Sequence, residues 1–118
     1  MTADSKSNPL GPGYEGVPGN KIRYRDAFNS TLRYEMQRDT DVFLMGEDIS
    51  GGFDKETKEP LDAWGGPFAA TKGLVQDFGP ERVRDAPISE AGFVGAAVGA
   101  ALTGLRPVVD VMYFDFVT

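Results

Sequence analysis

Apolar positions along the chain change their spacing several times, and each spacing predicts a different element. From Asp26 onward, Phe28, Leu32 and Met36, with Ala27 and Thr31 beside them, recur at helical intervals and predict a helix running to about Arg38. "DVFLMGED" (41–48) is a short continuous apolar run ending in acids, which reads as a buried strand. A polar loop from Ile49 to Gly66 follows. "FAATKGLVQDFG" (68–79) predicts a helix closed by Gly79 and stopped by Pro80. "RVRDAP" (82–87) reads as a strand ended by its proline, and Ser89 to Leu102 as a second long helix closing at Gly104. "RPVVDVMY" (106–113) is a further strand, whose alternation places Met112 and Phe114 on one face and Tyr113 on the other, with Phe116 just past its end. "KIRY" (21–24) is compatible with a short edge strand. Residues 1–20 are rich in Gly, Pro, Ser and Asn and poor in aliphatic side chains, the composition of a flexible N-terminal arm.

Strands alternating with helices predict βαβ units, hence an α/β fold with a parallel sheet and helices on both faces. About three core strands are expected, so residues 21–118 read as the front part of a domain, incomplete as a sheet.

The stretch "APISEAGFVGAAVGAALTG" (86–104) carries one charged side chain, Glu90. Three interior glycines, Gly92, Gly95 and Gly99, each cost a helix about 1 kcal/mol relative to alanine, so a close backbone approach should offset them. Gly95 and Gly99 lie on one helical face with Ala91, a smooth stripe suited to tight packing inside the domain or across a subunit interface. Glu90 falls in the first turn after Ser89, a candidate N-cap, where the helix dipole favours a carboxylate. Two readings of it stand: a first-turn acid with no further role, or a buried carboxylate aimed at a basic ligand nitrogen, with "AGFVGAAVGA" supplying a dry site. Glu47 in "MGED" sits at the carboxyl end of a strand, the edge where ligands bind in open parallel sheets; it too has a plain alternative, a solvated strand-end acid. Two acids brought to one edge could couple their protons.

Composition narrows the chemistry. The 118 residues carry a net charge of −6, which argues against nucleic acid or an anionic membrane surface as partner. There is no cysteine and no histidine, so no disulfide framework, no thiolate zinc site and no imidazole base. A reducing cytoplasm fits the absence of cysteine. The apolar and glycine run from Ala91 to Leu102 is too short to span a bilayer. No G-x-G-x-x-G, no phosphate-loop lysine, no nucleophile elbow and no Gly-Asp-Gly with a downstream Asn occurs, so no phosphate or metal cradle is expected.

In order along the chain, "MGED", "TKGL", "FGPERV", "PISEAGFVGAAVGAALTGLRPVV" and "MYFDF" resemble the beta subunit of the thiamine-diphosphate-dependent first component of 2-oxoacid dehydrogenase complexes. The match runs from about Ile22 to Val117 and is most specific over 81–116. It implies a transketolase-like pyrimidine-binding domain of the thiamine diphosphate-binding fold. It also implies that Glu90 hydrogen-bonds the cofactor's aminopyrimidine and promotes the imino tautomer that deprotonates the thiazolium carbon. Glu47 would then belong to an acidic water channel between paired sites, and Ile88, Met112 and Phe116 would flank the pyrimidine. Phe116 stands where some relatives carry tyrosine. Magnesium and the diphosphate would be held by an alpha subunit, in an alpha2-beta2 heterotetramer that passes its acyl group to a lipoyl acyltransferase. The family's beta subunit is about three times as long and has its active-site histidine further on, so an amino-terminal fragment, inactive alone, is expected. The loop "DISGGFDKETKEPLDAWGG" is longer than in typical pyruvate or branched-chain members, and "DAWGG" is more like acetoin dehydrogenase relatives, which keeps acetoin as an alternative substrate. Two other readings stay open: a non-catalytic assembly module, and a transketolase or deoxyxylulose-phosphate synthase relative.

Overall fold

The helical spacing around Leu32 and Met36 is realised in α1 (Tyr24–Arg38), which turns Ser30, Leu32 and Met36 inward. The computed structural model describes residues 22–51, 54, 56–57 and 65–116. After α1 come β1 (Val42–Gly46), α2 (Leu74–Phe78), β2 (Val83–Asp85), α3 (Glu90–Leu102), β3 (Arg106–Asp110) and a single 3-10 turn, Phe114–Phe116. The expected N-terminal arm, 1–20, lies outside the described residues, as does much of the 49–66 loop.

The three strands form one parallel sheet in the order β2-β1-β3. Leu44 stands opposite Val83 on one side and Val108 on the other, and Gly46 opposite Asp85 and Asp110. Alternation along β1 sends Val42 and Leu44 to one face, where they join Leu32 and Met36 of α1 and Leu74 and Val75 of α2 in the core. Phe43 and Met45 point the other way and line a groove with Ala96 and Ala100 of α3. The helices therefore cover both faces, as the βαβ pattern predicts, and the larger core lies on the α1/α2 side.

Arg82, just before β2, ties the start of the sheet to α1. Its guanidinium donates to the carbonyls of Met36 (2.9 Å), Asp39 (2.7 Å) and Val42 (2.6 and 3.0 Å). The same group lies over the Phe78 ring, 5.3 Å from its centroid.

Four sequence expectations are corrected. "KIRY" forms no strand in its described part: the Arg23 carbonyl accepts from Asp26 and Ala27 N–H groups, which commits the segment to a helix start, and Tyr24 opens α1. The helix expected from 68 begins only at Leu74, because Gly73 is left-handed (φ +83°) and residues 66–73 are turns. Those turns are held from outside, by Asn29 Nδ2 on the Ala70 carbonyl (2.8 Å) and by Thr71 Oγ1 on the Ile49 carbonyl (2.8 Å). β3 stops at Asp110, whose Oδ1 accepts from the Met112 N–H (2.9 Å) and bends the chain into a positive φ at Met112, so strand alternation does not reach Met112, Tyr113 or Phe114. Ser89 is the N-cap of α3 by position, yet its side chain makes no capping bond; its carbonyl takes the Phe93 N–H (3.0 Å).

Among the described residues no helix is long and apolar enough to cross a membrane.

Candidate functional site

A parallel sheet brings all its carboxyl ends to one edge. Here that edge gathers Glu47 and Asp48 after β1, Ile88 to Glu90 after β2, and Met112 to Phe116 after β3. The chain leaves central β1 for β2 on one side and then crosses to β3 on the other, which makes the β1/β3 boundary the switch point at which open parallel sheets bind ligands. At that boundary there is no room for a side chain on Gly46: a Cβ there would lie 2.6 Å from the Asp110 carbonyl oxygen and 3.1 Å from Ile49 Cγ2.

Glu47 is half-buried, and its Oε1 is buried with no hydrogen-bond partner among the described residues. Loss of water raises its pKa above the ordinary glutamate value, and the charges of Glu90 and then Asp48 push it further the same way. That coupling places Glu47 and Glu90, forty-three residues apart in sequence, within electrostatic reach of each other. Glu90 is half-buried in the first turn of thirteen-residue α3.

The apolar candidates lie on the same edge with different exposure. Ile88 is 86% exposed, Phe116 57% exposed and Met112 half-buried. Tyr113 sits between two rings, edge-on to Phe68 (5.8 Å) and to Phe116 (6.0 Å). The structure thus puts Glu47 and Glu90 within electrostatic reach of each other and carries Met112 and Phe116 in the segment after β3 on the same edge of the sheet.

The dry enclosure expected from "AGFVGAAVGA" is not built by the described residues. α3 buries Phe93 and Ala97, while Val98 is 57% and Leu102 84% exposed. A Cβ at Gly95 or Gly99 would meet nothing within 4 Å among the described residues, so the tight contact foreseen inside the domain is not made there. Among the described residues no group of three or more His, Cys, Asp or Glu is placed to hold a metal ion. Sequence reasoning missed Gly46, Asp85 and Tyr113; the strand-end acid of "RDAP" was the signal available for Asp85.

A family model described as transketolase, pyrimidine binding domain, matches residues 20–118. The acetoin:2,6-dichlorophenolindophenol oxidoreductase subunit beta of Bacillus subtilis is 49% identical over 96 residues, 81% of this chain and 28% of that protein. The mitochondrial pyruvate dehydrogenase E1 component subunit beta of Pisum sativum is also 49% identical over 96 residues, 81% of this chain and 23% of that protein. The pyruvate dehydrogenase E1 component subunit beta of Rhizobium meliloti is 40% identical over 114 residues, 97% of this chain and 22% of that protein. The chain spans about a quarter of the length of these curated relatives. With its parallel sheet and the family match over 20–118, the chain belongs to the transketolase pyrimidine-binding domain family.

Proposed function

We propose that this chain is the pyrimidine-binding part of a thiamine-diphosphate-dependent 2-oxoacid dehydrogenase beta subunit, and that Glu90 is the carboxylate that holds and activates the cofactor's aminopyrimidine. The observation that carries the reading is that Glu47 and Glu90 both lie at the carboxyl edge of the parallel sheet, close enough for the charge of Glu90 to raise the Glu47 pKa.

The residues present fit an aminopyrimidine. Such a ring needs a carboxylate for a ring nitrogen and apolar surface for its two faces. Glu90 offers the first, and Ile88, Met112 and Phe116 the second. Glu47 Oε1, buried with no hydrogen-bond partner among the described residues, adds a polar atom that a bound water or ligand can satisfy. When bound, thiamine diphosphate supplies a nucleophilic carbon for attack on a 2-oxo group.

This chain's own contribution is to proton placement. Glu90 shares a proton between its carboxylate and the ring nitrogen, and the bond strengthens as partner surfaces exclude water. Glu47, with its raised pKa, keeps a proton on its carboxyl more readily than a solvated acid and passes it through water to the Glu90 side. The reading assigns the diphosphate and its magnesium to an alpha subunit in an alpha2-beta2 assembly, and the acyl group to a lipoyl acyltransferase.

Acetoin is the second substrate reading, because a relative named for acetoin oxidation matches at the same 49% identity as one named for pyruvate. The test of the main reading is hydrogen–deuterium exchange at the thiazolium carbon in the reconstituted assembly. Glu90→Gln keeps the shape and removes the charge, and should slow exchange by about 10²–10³. Exchange at the wild-type rate would reduce Glu90 to a helix-end acid and leave the chain an assembly module.

A further inference from the structure

We propose that Asp85 is a positioning residue: it latches the turn that carries Glu47 onto the strand that leads to Glu90, and so sets the separation of the two acids. The inference rests on the reading of Glu47 and Glu90 as the paired acids of the cofactor site.

The latch closes around a short loop. At its start, the Gly46 carbonyl accepts from the Ala86 N–H (2.8 Å). At its end, Asp85 Oδ1 accepts from the Ser50 N–H (2.8 Å), and Oδ2 accepts from the Ser50 hydroxyl. Glu47, Asp48 and Ile49 lie between these two attachments, so both ends of the acidic turn are fixed to β2 and the residue that follows it. Ser50 is 3% exposed and Ile49 1%, which leaves the turn little room to swing. Thr71 Oγ1 adds a third tie by donating to the Ile49 carbonyl. Past Asp85, the chain runs through Ala86, Pro87, Ile88 and Ser89 directly to Glu90. One side chain therefore joins the two segments that bear the acids.

The choice of a carboxylate at position 85 is informative. The edge already holds Glu47, Asp48, Glu90 and Asp110, and another negative charge there is electrostatically unfavourable. What a carboxylate supplies is two acceptor oxygens, one for the Ser50 N–H and one for its hydroxyl; an amide presents one acceptor and one donor. The geometry uses both oxygens.

The experiment uses the full protein assembled with its partners and compares wild type with Ser50→Ala, Asp85→Asn and Asp85→Ala. Infrared difference spectra with carbon-13-labelled glutamate report the ionisation midpoint of Glu47, assigned by its loss in Glu47→Gln. The pH dependence of kcat/KM is recorded beside it. Loosening the latch exposes Glu47 to water, so its midpoint should fall toward the ordinary glutamate value in Asp85→Ala. Ser50→Ala keeps the Asp85 charge, so a fall there reports the turn and not a lost neighbour; Asp85→Asn should lie between. If melting temperature drops while the Glu47 midpoint stays put in every variant that folds, Asp85 only braces the fold and the proposal is overturned. Should Asp85→Ala fail to fold, Ser50→Ala decides by the same criterion. A midpoint that moves without the pH profile moving supports the latch and refutes the part assigned to Glu47 in the reaction.

Discussion

Gly46, at the end of β1 beneath the site, has no room for a methyl group. An alanine Cβ there would stand 2.6 Å from the Asp110 carbonyl oxygen, 3.0 Å from Asp110 Cβ and 3.1 Å from Ile49 Cγ2. Comfortable contacts begin at about 3.5 Å, so the clash with backbone oxygen alone demands a movement of about 0.9 Å. The first obstacle is main chain of a paired strand and cannot rotate away. β1 and β3 must part at their last rung, where Gly46 faces Asp110. Overpacking of this kind costs about 1–3 kcal/mol. Alanine returns about 0.4–1 kcal/mol by restricting the unfolded chain. With the middle of each range the expected net loss is about 1.3 kcal/mol, equivalent to about 5–10 °C in melting temperature for a domain of this size. Calorimetry or a circular-dichroism melt of Gly46→Ala against wild type measures it. A melting temperature equal to or above wild type would refute the close approach of β1 and β3.

Two more perturbations probe the acid and the exposed helix. Glu47 has a pKa raised by burial and by Glu90, so the folded protein holds this proton more tightly than the unfolded chain does; the resulting stability is full below about pH 4.5 and is lost as pH rises through the folded value. Glu47→Gln should therefore melt higher than wild type at neutral pH and converge with it below pH 4.5, and parallel pH-stability curves would contradict the burial of Oε1. Gly95→Leu, on the open face of α3, should weaken assembly by about 1–3 kcal/mol through overpacking against a neighbouring subunit, seen as earlier dissociation on dilution in size-exclusion chromatography. Unchanged elution would show that this face stays free.

Much of this arrangement is legible from local pattern. The spacing of Leu32 and Met36, the run Val42 to Met45 and the apolar stretch after Glu90 each specify their element, because packing on the sheet rewards the same periodicity that the residues show. The meeting of Glu47 and Glu90 follows from topology once the strands are known to be parallel. The start of α2 and the end of β3 are different. One depends on Asn29 and Thr71 reaching across the fold, the other on the Asp110 side chain competing for a backbone N–H, and neither leaves a periodic trace. The bond between Asp85 and Ser50 spans thirty-five residues and is equally silent. Apolar side chains on α3 signal burial, but not by what.

Arg82 has one more consequence. The four hydrogen bonds of its guanidinium go to the main-chain carbonyls of Met36, Asp39 and Val42, so the tie does not depend on which side chains occupy the turn between α1 and β1. That connection can change its sequence and keep its anchor, and a single change at Arg82 removes all four bonds at once. The acidic turn at the other end of β1 is built the other way, on the side chains of Asp85, Ser50 and Thr71, so its hold is shared among several positions.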